Sequence, residues 1–184
     1  CLASNGADVD MPNSAGSRPI DLAIGNGLDI NVLKALIDLG SKIDDPFGPK
    51  QDTALTLAAK YGRHDAIKLL LEKGANPNGQ NYQGFTPYMA ACAVIEAARA
   101  QKVEQAILDR MVSNAIDILN LFLDAQDFDP NIKDRDGFSA LFWVLSLRDV
   151  NALVDVYQKG AEINHQDKNG QTAVFLAVLH GWID

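Results

Sequence analysis

The residue types that most often carry chemistry are sparse in this chain of 184 residues. An imidazole can transfer protons or bind zinc, and the chain has three, at His64, His165 and His180. None of them has a metal-ligand spacing to another His, Cys or carboxylate. A metal site is therefore not predicted.

A thiolate nucleophile is the second chemistry that the residue types permit, through Cys1 or Cys92. Cys92 lies between Ala91 and Ala93, where a thiol behaves as a small packing residue. The sequence also contains no phosphate-binding loop and no G-x-S-x-G elbow. We therefore expect no catalytic residue, no cofactor and no small-molecule substrate, and classify the chain as a non-enzyme.

Two short stretches resemble ligand-binding motifs only in part. "GNGLDI", from Gly25, lacks the third glycine of a dinucleotide fingerprint and follows a predicted helix instead of a strand. "DPNIKDRDG", at 129–137, has some of the oxygen ligands of a calcium loop. The repeat described below assigns it to a turn between units, so calcium binding is not expected.

The charge balance narrows the classes of partner. Twenty-four acids against sixteen bases give a net charge of −8, and no run of Lys and Arg is present. This composition argues against a nucleic-acid partner, which requires a basic patch. No apolar run approaches the ~18 residues of a membrane span, so membrane insertion is not expected.

We expect an intracellular, cytoplasmic location, or the host cytosol if the protein is a secreted effector.

The elements that must position any binding residue recur along the chain. A triplet of hydroxyl, Pro or Ala, and apolar residue starts at Thr53, Thr86, Ser139 and Thr172, with a degenerate copy at Arg18. The spacings are 35, 33, 53 and 33 residues, so one unit contains an insertion. A small pair such as Gly74-Ala75 closes each unit, except in the unit with the insertion.

One unit, at 53–78, shows how the repeat folds. Thr53 can cap a first helix, and Gly62 ends it. Ile67 and Leu70 belong to an apolar stripe on a second helix, which Gly74 ends in the left-handed conformation. We assign Ile67 and Leu70 to the core. Because one such unit cannot bury its stripe alone, the units must stack side by side.

The period, the opening triplet, the central glycine and the closing Gly-Ala pair together resemble the ankyrin repeat over essentially the whole chain. The resemblance implies an all-α solenoid of helix-turn-helix units joined by finger loops, forming a single domain over 1–184. The units are a partial repeat at 1–13, repeats from about 14, 48, 81 and 134, and a partial repeat at 167–184. Since both ends are cut inside a repeat, we expect a piece of a longer protein.

The sequence departs from the family pattern at several positions. Gln51 replaces a turn glycine, and Ile95 and Arg148 replace the glycine between helices. The usual His of the opening is also replaced, by Asp21, Thr56, Met89, Phe142 and Phe175. The Thr–His hydrogen bonds of the family should therefore be absent, and apolar packing by Phe142 and Phe175 is expected to substitute for them.

The insertion has a helical composition, because residues 88–129 contain neither Gly nor Pro. We predict about ten additional residues in each helix of this repeat, within 93–112, with a turn near Gln101 and Lys102. Such a projecting hairpin could contact a partner, or it could bury only its own apolar stripe. The sequence does not decide between these alternatives.

The resemblance also implies a function: a non-catalytic protein–protein interaction module that binds another protein on the concave face of finger tips and first helices. The alternative is a targeting or regulatory repeat arm of an enzyme or effector whose catalytic domain lies elsewhere. Aromatic and basic residues are the expected anchors. They are Tyr61, Tyr82, Phe85, Arg135, Phe138, Lys50, Lys168 and His180. Phe85 and Phe138 share one position in the repeat, and could instead pack finger against finger.

Overall fold

The protein is described from a computed structural model that covers residues 6–181. The helix end expected at Cys1 and Leu2, and the last residues of the expected final repeat, lie outside this range. Within it, regular structure consists of nine α-helices and a short 3-10 helix, with two isolated β-bridges in the loops. The helices are α1 (Pro19–Gly25), α2 (Ile30–Asp38), α3 (Ala54–Lys60), α4 (His64–Glu72), α5 (Pro87–Ala100), α6 (Gln105–Leu123), α7 (Ala140–Val144), α8 (Val150–Gln158) and α9 (Ala173–Leu179), with the 3-10 helix at Leu145–Leu147.

The helices form two parallel rows. The first helices of the units, α1, α3, α5 and α7, contact one another in chain order, and the second helices, α2, α4, α6 and α8, do the same. Each first helix also packs against the second helix of its own unit. A finger loop connects each unit to the next, so the prediction of an all-α solenoid of helical hairpins is confirmed.

One apolar core runs through the array from Ile20 to Ala173. Ile67 and Leu70 are completely buried in it, as their positions in the stripe predicted. Small buried residues such as Ala58 in α3 and Ala91 in α5 allow the first helices to approach closely. The core is therefore shared between units rather than contained within any one of them.

The local signals act as the sequence predicted. The Thr53 hydroxyl accepts a hydrogen bond from the Thr56 amide and caps α3. Gly62 and Gly74 follow α3 and α4 with φ of +64° and +85°, the left-handed region that favours glycine. The helix limits in this unit are thus determined by local chemistry.

An ion pair replaces the hydroxyl opening in the first complete unit. The Asp21 carboxylate accepts hydrogen bonds from the backbone amide and from the guanidinium of Arg18. The same guanidinium donates to the Lys42 carbonyl and lies over the Phe47 ring, 5.4 Å from its centroid. Arg18 and Asp21 are both buried. Through the contacts of Arg18 with Lys42 and Phe47, this pair links the start of α1 to the following finger.

The two phenylalanines that replace the family histidine have different environments. Phe142 is buried and stacks on Phe138, with 5.2 Å between ring centroids. Phe175 is 53% exposed, so the prediction that it packs in place of the histidine is wrong. The physical reason is that within residues 6–181 no helix follows α9 to cover that side of it.

The repeat with the insertion has longer helices, and its turn lies at Gln101 and Lys102 as predicted, but the role assigned to Ile95 needs a correction. α5 and α6 have 14 and 19 residues, compared with 7 and 9 in α3 and α4. Ile95 therefore does not replace the glycine between helices, since it is buried inside α5. The left-handed residue of this turn is Lys102, at φ +53°. Gln51 and Arg148 adopt the same conformation without glycine, at φ +53° and +56°.

The end of the long helix α5 supports the next unit. Arg99 donates from Nε to the Ser146 carbonyl at 3.0 Å, and from Nη2 to the Leu147 carbonyl at 3.3 Å. These carbonyls belong to the 3-10 helix that follows α7, and both residues are buried. The lengthened helix α5 therefore covers this part of the next unit.

Replacing Leu70 with Ala tests the shared core. Leu70 is fully buried against both rows, so its truncation leaves a cavity. We expect the free energy of unfolding to fall by about 2–5 kcal/mol. Urea denaturation followed by circular dichroism measures this change, and Leu39→Ala at a half-exposed position is the control. Equal losses in the two variants would contradict the core assignment.

A second comparison tests the buried ion pair of the first complete unit. Arg18–Asp21 and Lys42–Asp45 are both i,i+3 pairs, but side-chain exposure is 9% and 2% in the first and 68% and 58% in the second. Asp21→Ala leaves a buried guanidinium unpaired and should cost about 3–5 kcal/mol. Asp45→Ala should change stability by less than about 1 kcal/mol. Thermal and urea unfolding measure the loss of stability in both variants. Similar losses would contradict this account.

Candidate functional site

The described residues do not assemble a metal site or a reactive thiol. Across residues 6–181, no three His, Cys, Asp or Glu side chains gather as metal ligands would. Cys92 is fully buried, and this burial raises the pKa of its thiol, which keeps it protonated. In the loop that resembles a calcium site, Asp129 and Asp134 accept hydrogen bonds from amides of their own turns. Among the helices of this region, none has the length and apolar character needed to cross a membrane.

Four finger loops, with tips at 48–51, 81–84, 134–137 and 167–170, form an ordered row because each of the last three is hydrogen-bonded through its main chain to the one before it. In every case, an amide at the tip of one finger donates to a carbonyl at the preceding tip. The pairs are Tyr82 to Lys50 at 2.8 Å, Arg135 to Gln83 at 3.1 Å and Lys168 to Asp136 at 3.2 Å. Lys50, Tyr82, Arg135 and Lys168 are named the finger-tip row below.

Glycine is required where successive fingers approach most closely. Gly84 has φ of +81°, and a Cβ atom built on it would lie 2.9 Å from the amide nitrogen of Arg135 and from the Cα of Asp134. Gly137 repeats the arrangement, with 3.1 Å to the Lys168 amide nitrogen. Main-chain atoms cannot move aside as a flexible side chain can. These two glycines therefore permit the spacing of the finger-tip row.

The tip of one finger carries an aromatic ring that the next finger covers. Tyr82 is 58% exposed, and the Arg135 guanidinium lies over its ring at 3.9 Å from the centroid. The attraction between the cation and the ring restricts both side chains. A preformed pair of large, exposed side chains results, which no single repeat contains.

Phe85 and Phe138 come together around a residue that the sequence reasoning missed. Trp143 of α7 meets Phe85 edge-on at 4.8 Å between centroids, and meets Phe138 at 6.4 Å. Its indole Nε1 donates to Asp134 Oδ2 at 2.9 Å, which fixes the ring. Both phenylalanines are half-buried and join the fingers to α7. The signal available in the sequence was the aromatic pair Phe142-Trp143 directly after a helix start.

The remaining predicted residues occupy two kinds of position. Lys50 and Lys168 are exposed on the finger tips. Tyr61 and His180 are exposed at the C-terminal ends of the first helices α3 and α9, as the C-cap residues. Tyr61 is 59% exposed. The structure thus brings Tyr82 and Arg135 into contact. The other four residues lie on the finger tips or at the C-terminal ends of first helices.

An apolar cleft of about 530 Å³ lies between α7, α8 and α9. Its lining includes Leu141, Leu145, Leu153, Val174 and Ala177. In the preceding units the equivalent groove is filled by a second helix. α6 packs beside α4, and α8 packs beside α6. Arg148, Asp149 and Tyr157 contribute polar groups to its wall.

Comparison with known proteins agrees with this architecture. The family model described as ankyrin repeats (3 copies) matches residues 20–100. Neurogenic locus notch homolog protein 1 of Danio rerio is 32% identical over 201 residues, covering 92% of this chain and 8% of that protein. Neurogenic locus notch homolog protein 2 of Homo sapiens is 31% identical over 192 residues, covering 87% of this chain and 8% of that protein. The chain therefore spans about 8% of the length of these curated relatives.

A solved structure shows the same fold. The crystal structure of EF0377, an ankyrin repeat protein, superimposes with a TM-score of 0.76 over 98% of this chain and 84% of its own. Sequence identity is 22%, so the likeness concerns the fold.

Replacing Gly84 with Ala tests how the finger row is spaced. Gly74 is a matched control, because its φ of +85° is close to the +81° of Gly84 but nothing lies within 4 Å of its added Cβ. Gly74→Ala should cost about 1–2 kcal/mol from the left-handed conformation alone. We expect Gly84→Ala to cost more, since the new methyl group meets the next finger. Urea unfolding measures both, and equal losses would show that the close approach is unimportant.

Proposed function

Because this chain belongs to the ankyrin-repeat family, whose repeats are generally protein–protein interaction modules, we propose that it binds another protein through its finger tips and first helices. The binding surface consists of the finger-tip row together with Tyr61 and His180. Binding at this surface involves no covalent chemistry, so the domain acts by position and affinity alone. We also propose that the domain is non-catalytic, as expected from the sequence.

The observation that carries the proposal is the exposed Tyr82–Arg135 pair on a hydrogen-bonded row of fingers. Tyr and Arg are enriched among residues that dominate binding energy, because they bury a large area. Here the cation–π contact holds them in place before any partner arrives. A preorganised surface loses less conformational entropy on binding, which increases affinity.

The predicted residues have distinct roles in this proposal. Tyr61, Tyr82 and Arg135 are the anchors, because large parts of their side chains are exposed. Phe85 and Phe138 contact Trp143 and hold the fingers against α7, so they act mainly by keeping the anchors in position. The others, Lys50, Lys168 and His180, form the charged and polar rim.

A second candidate function rests on the curated relatives, in which the matched region is 8% of the whole protein. In proteins of that kind, a repeat domain is one part of a much larger molecule. The chain would then be a targeting or regulatory arm. It would bind through the same surface. The two candidates differ only in the purpose of that binding, which here is to target or regulate a larger molecule.

Site-specific crosslinking tests the proposed surface. A photoreactive phenylalanine derivative is placed at Tyr61 or Tyr82, and at Lys68 or Asp117 as controls on the exposed sides of the second helices α4 and α6. In extracts of the native cells, we expect both finger-side positions to capture the same protein and the controls to capture none of it. Mass spectrometry identifies the products. Capture from all four positions, or from the controls alone, would contradict the proposed face.

A further inference from the structure

The finger tips contain acids and bases in equal number, but the structure separates them. The four tips, residues 48–51, 81–84, 134–137 and 167–170, carry three bases and three acids. Two of the acids, Asp134 and Asp167, are buried at 7% exposure, whereas all three bases are exposed. Three exposed bases against the one exposed acid, Asp136, leave an excess of two positive charges on the outer surface of the row.

The buried acids are occupied by the turns themselves. Asp134 Oδ1 accepts from two amides of its own turn, each at 2.9 Å, and Oδ2 accepts from Trp143. Asp167 Oδ1 accepts from the amides of Asn169 and Gln171 at 2.8 Å each. These carboxylates shape the fingers and are buried beneath the outer surface of the row. The neighbouring Asp52 is likewise turned inward, where it pairs with Lys60 at 2.7 Å.

The bases of the tips are left available. Throughout residues 6–181, no carboxylate lies within 4.0 Å of the charged groups of Lys50, Arg135 or Lys168. Other bases of this acidic chain do find such partners, for example Lys73 with Asp38 at 2.6 Å. The finger-tip row is therefore a positive strip on a protein whose net charge is −8.

We propose that the finger-tip row binds an acidic segment of a partner polypeptide, with Lys50, Arg135 and Lys168 facing its carboxylates. This inference rests on the proposed function and specifies the chemistry of the partner. The Tyr82 ring supports the Arg135 guanidinium from below, which leaves the polar edge of the guanidinium for a carboxylate. Charge complementarity of this kind steers association and excludes basic partners.

A polypeptide suits this row better than a nucleic acid does. A nucleic-acid surface neutralises many phosphates along a continuous basic patch. Here three bases are interrupted by Asp136 and surrounded by an acidic chain, which would repel a dense polyanion. Carboxylates spaced along an extended peptide match the three bases, which lie one each on three of the four finger tips.

The experiment is a selection from a random peptide library displayed on phage, with the 184-residue chain as bait. We expect the recovered peptides to be enriched in Asp and Glu relative to the input library. The combined variant Lys50→Glu, Arg135→Glu, Lys168→Glu should lose this enrichment. A control with the same change in net charge is Lys34→Glu, Lys68→Glu, Lys159→Glu, whose exposed lysines lie on or next to second helices and should leave the enrichment unchanged.

Fluorescence anisotropy then measures one recovered peptide. We expect at least about tenfold weaker binding to the finger-tip variant than to the control variant, and a loss of affinity as salt is raised. Circular dichroism should show both variants folded, since all six positions are exposed, with only a small shift of the unfolding curve in the finger-tip variant from the lost Arg135–Tyr82 contact. Recovered peptides without an acidic bias, or equal losses in the two variants, would overturn the inference.

A labelled single-stranded DNA of random sequence provides the remaining arm. Tighter binding of the DNA than of the acidic peptide to the same fingers would overturn the choice of a polypeptide. If crosslinking at Tyr61 and Tyr82 captures a protein while the peptides show no acidic bias, the inference about charge fails and the proposed function stands.

Discussion

Each helical hairpin in this chain has an apolar face that only the neighbouring hairpin can cover. Residues such as Ile67 and Leu70 are completely buried, yet the single hairpin that contains them has too few residues to bury them. Side-by-side packing removes these faces from water and produces one core that extends along the array. Every other feature of the molecule depends on the register that this packing imposes.

The register of the helices determines the register of the fingers, and thereby the surface. Because the units repeat, the tip amides lie opposite the tip carbonyls of the preceding finger, and the hydrogen bonds between them form a line. The line requires a left-handed residue at each turn, which is Gly84 or Gly137 in two fingers and Gln51 in another. A non-glycine residue in this conformation is strained, and the surrounding contacts must hold it.

The sequence predicted the features that local chemistry controls. The period, the Thr53 cap and the glycines after α3 and α4 are short-range signals, and the corresponding helix limits follow from them. The burial of Ile67 and Leu70 was equally predictable, because a stripe at helical spacing must face a neighbour. The length of α5 was visible from the absence of Gly and Pro, although the equivalence assigned to Ile95 was not correct.

Features that depend on which side chains are buried together were not predictable. That Arg18 and Asp21 replace a hydroxyl opening with an ion pair becomes evident only when both side chains are seen buried together. The direction of each finger carboxylate was also hidden, since Asp134 and Asp136 are two residues apart but one is buried and the other exposed. Trp143 lies far along the chain from Phe85, so nothing in the spacing indicated their contact.

The two hydrogen bonds from Arg99 into the following 3-10 helix have a consequence for how the array opens. In a linear array, stability is the sum of terms for each unit and for each junction, and fraying spreads inward from the ends. α7 is only 5 residues long, so by itself it would be a weak point in this sequence of junctions. The two hydrogen bonds from Arg99 of α5 stabilise this junction, so separation of α7 from α5 should require more free energy than the short length of α7 alone suggests.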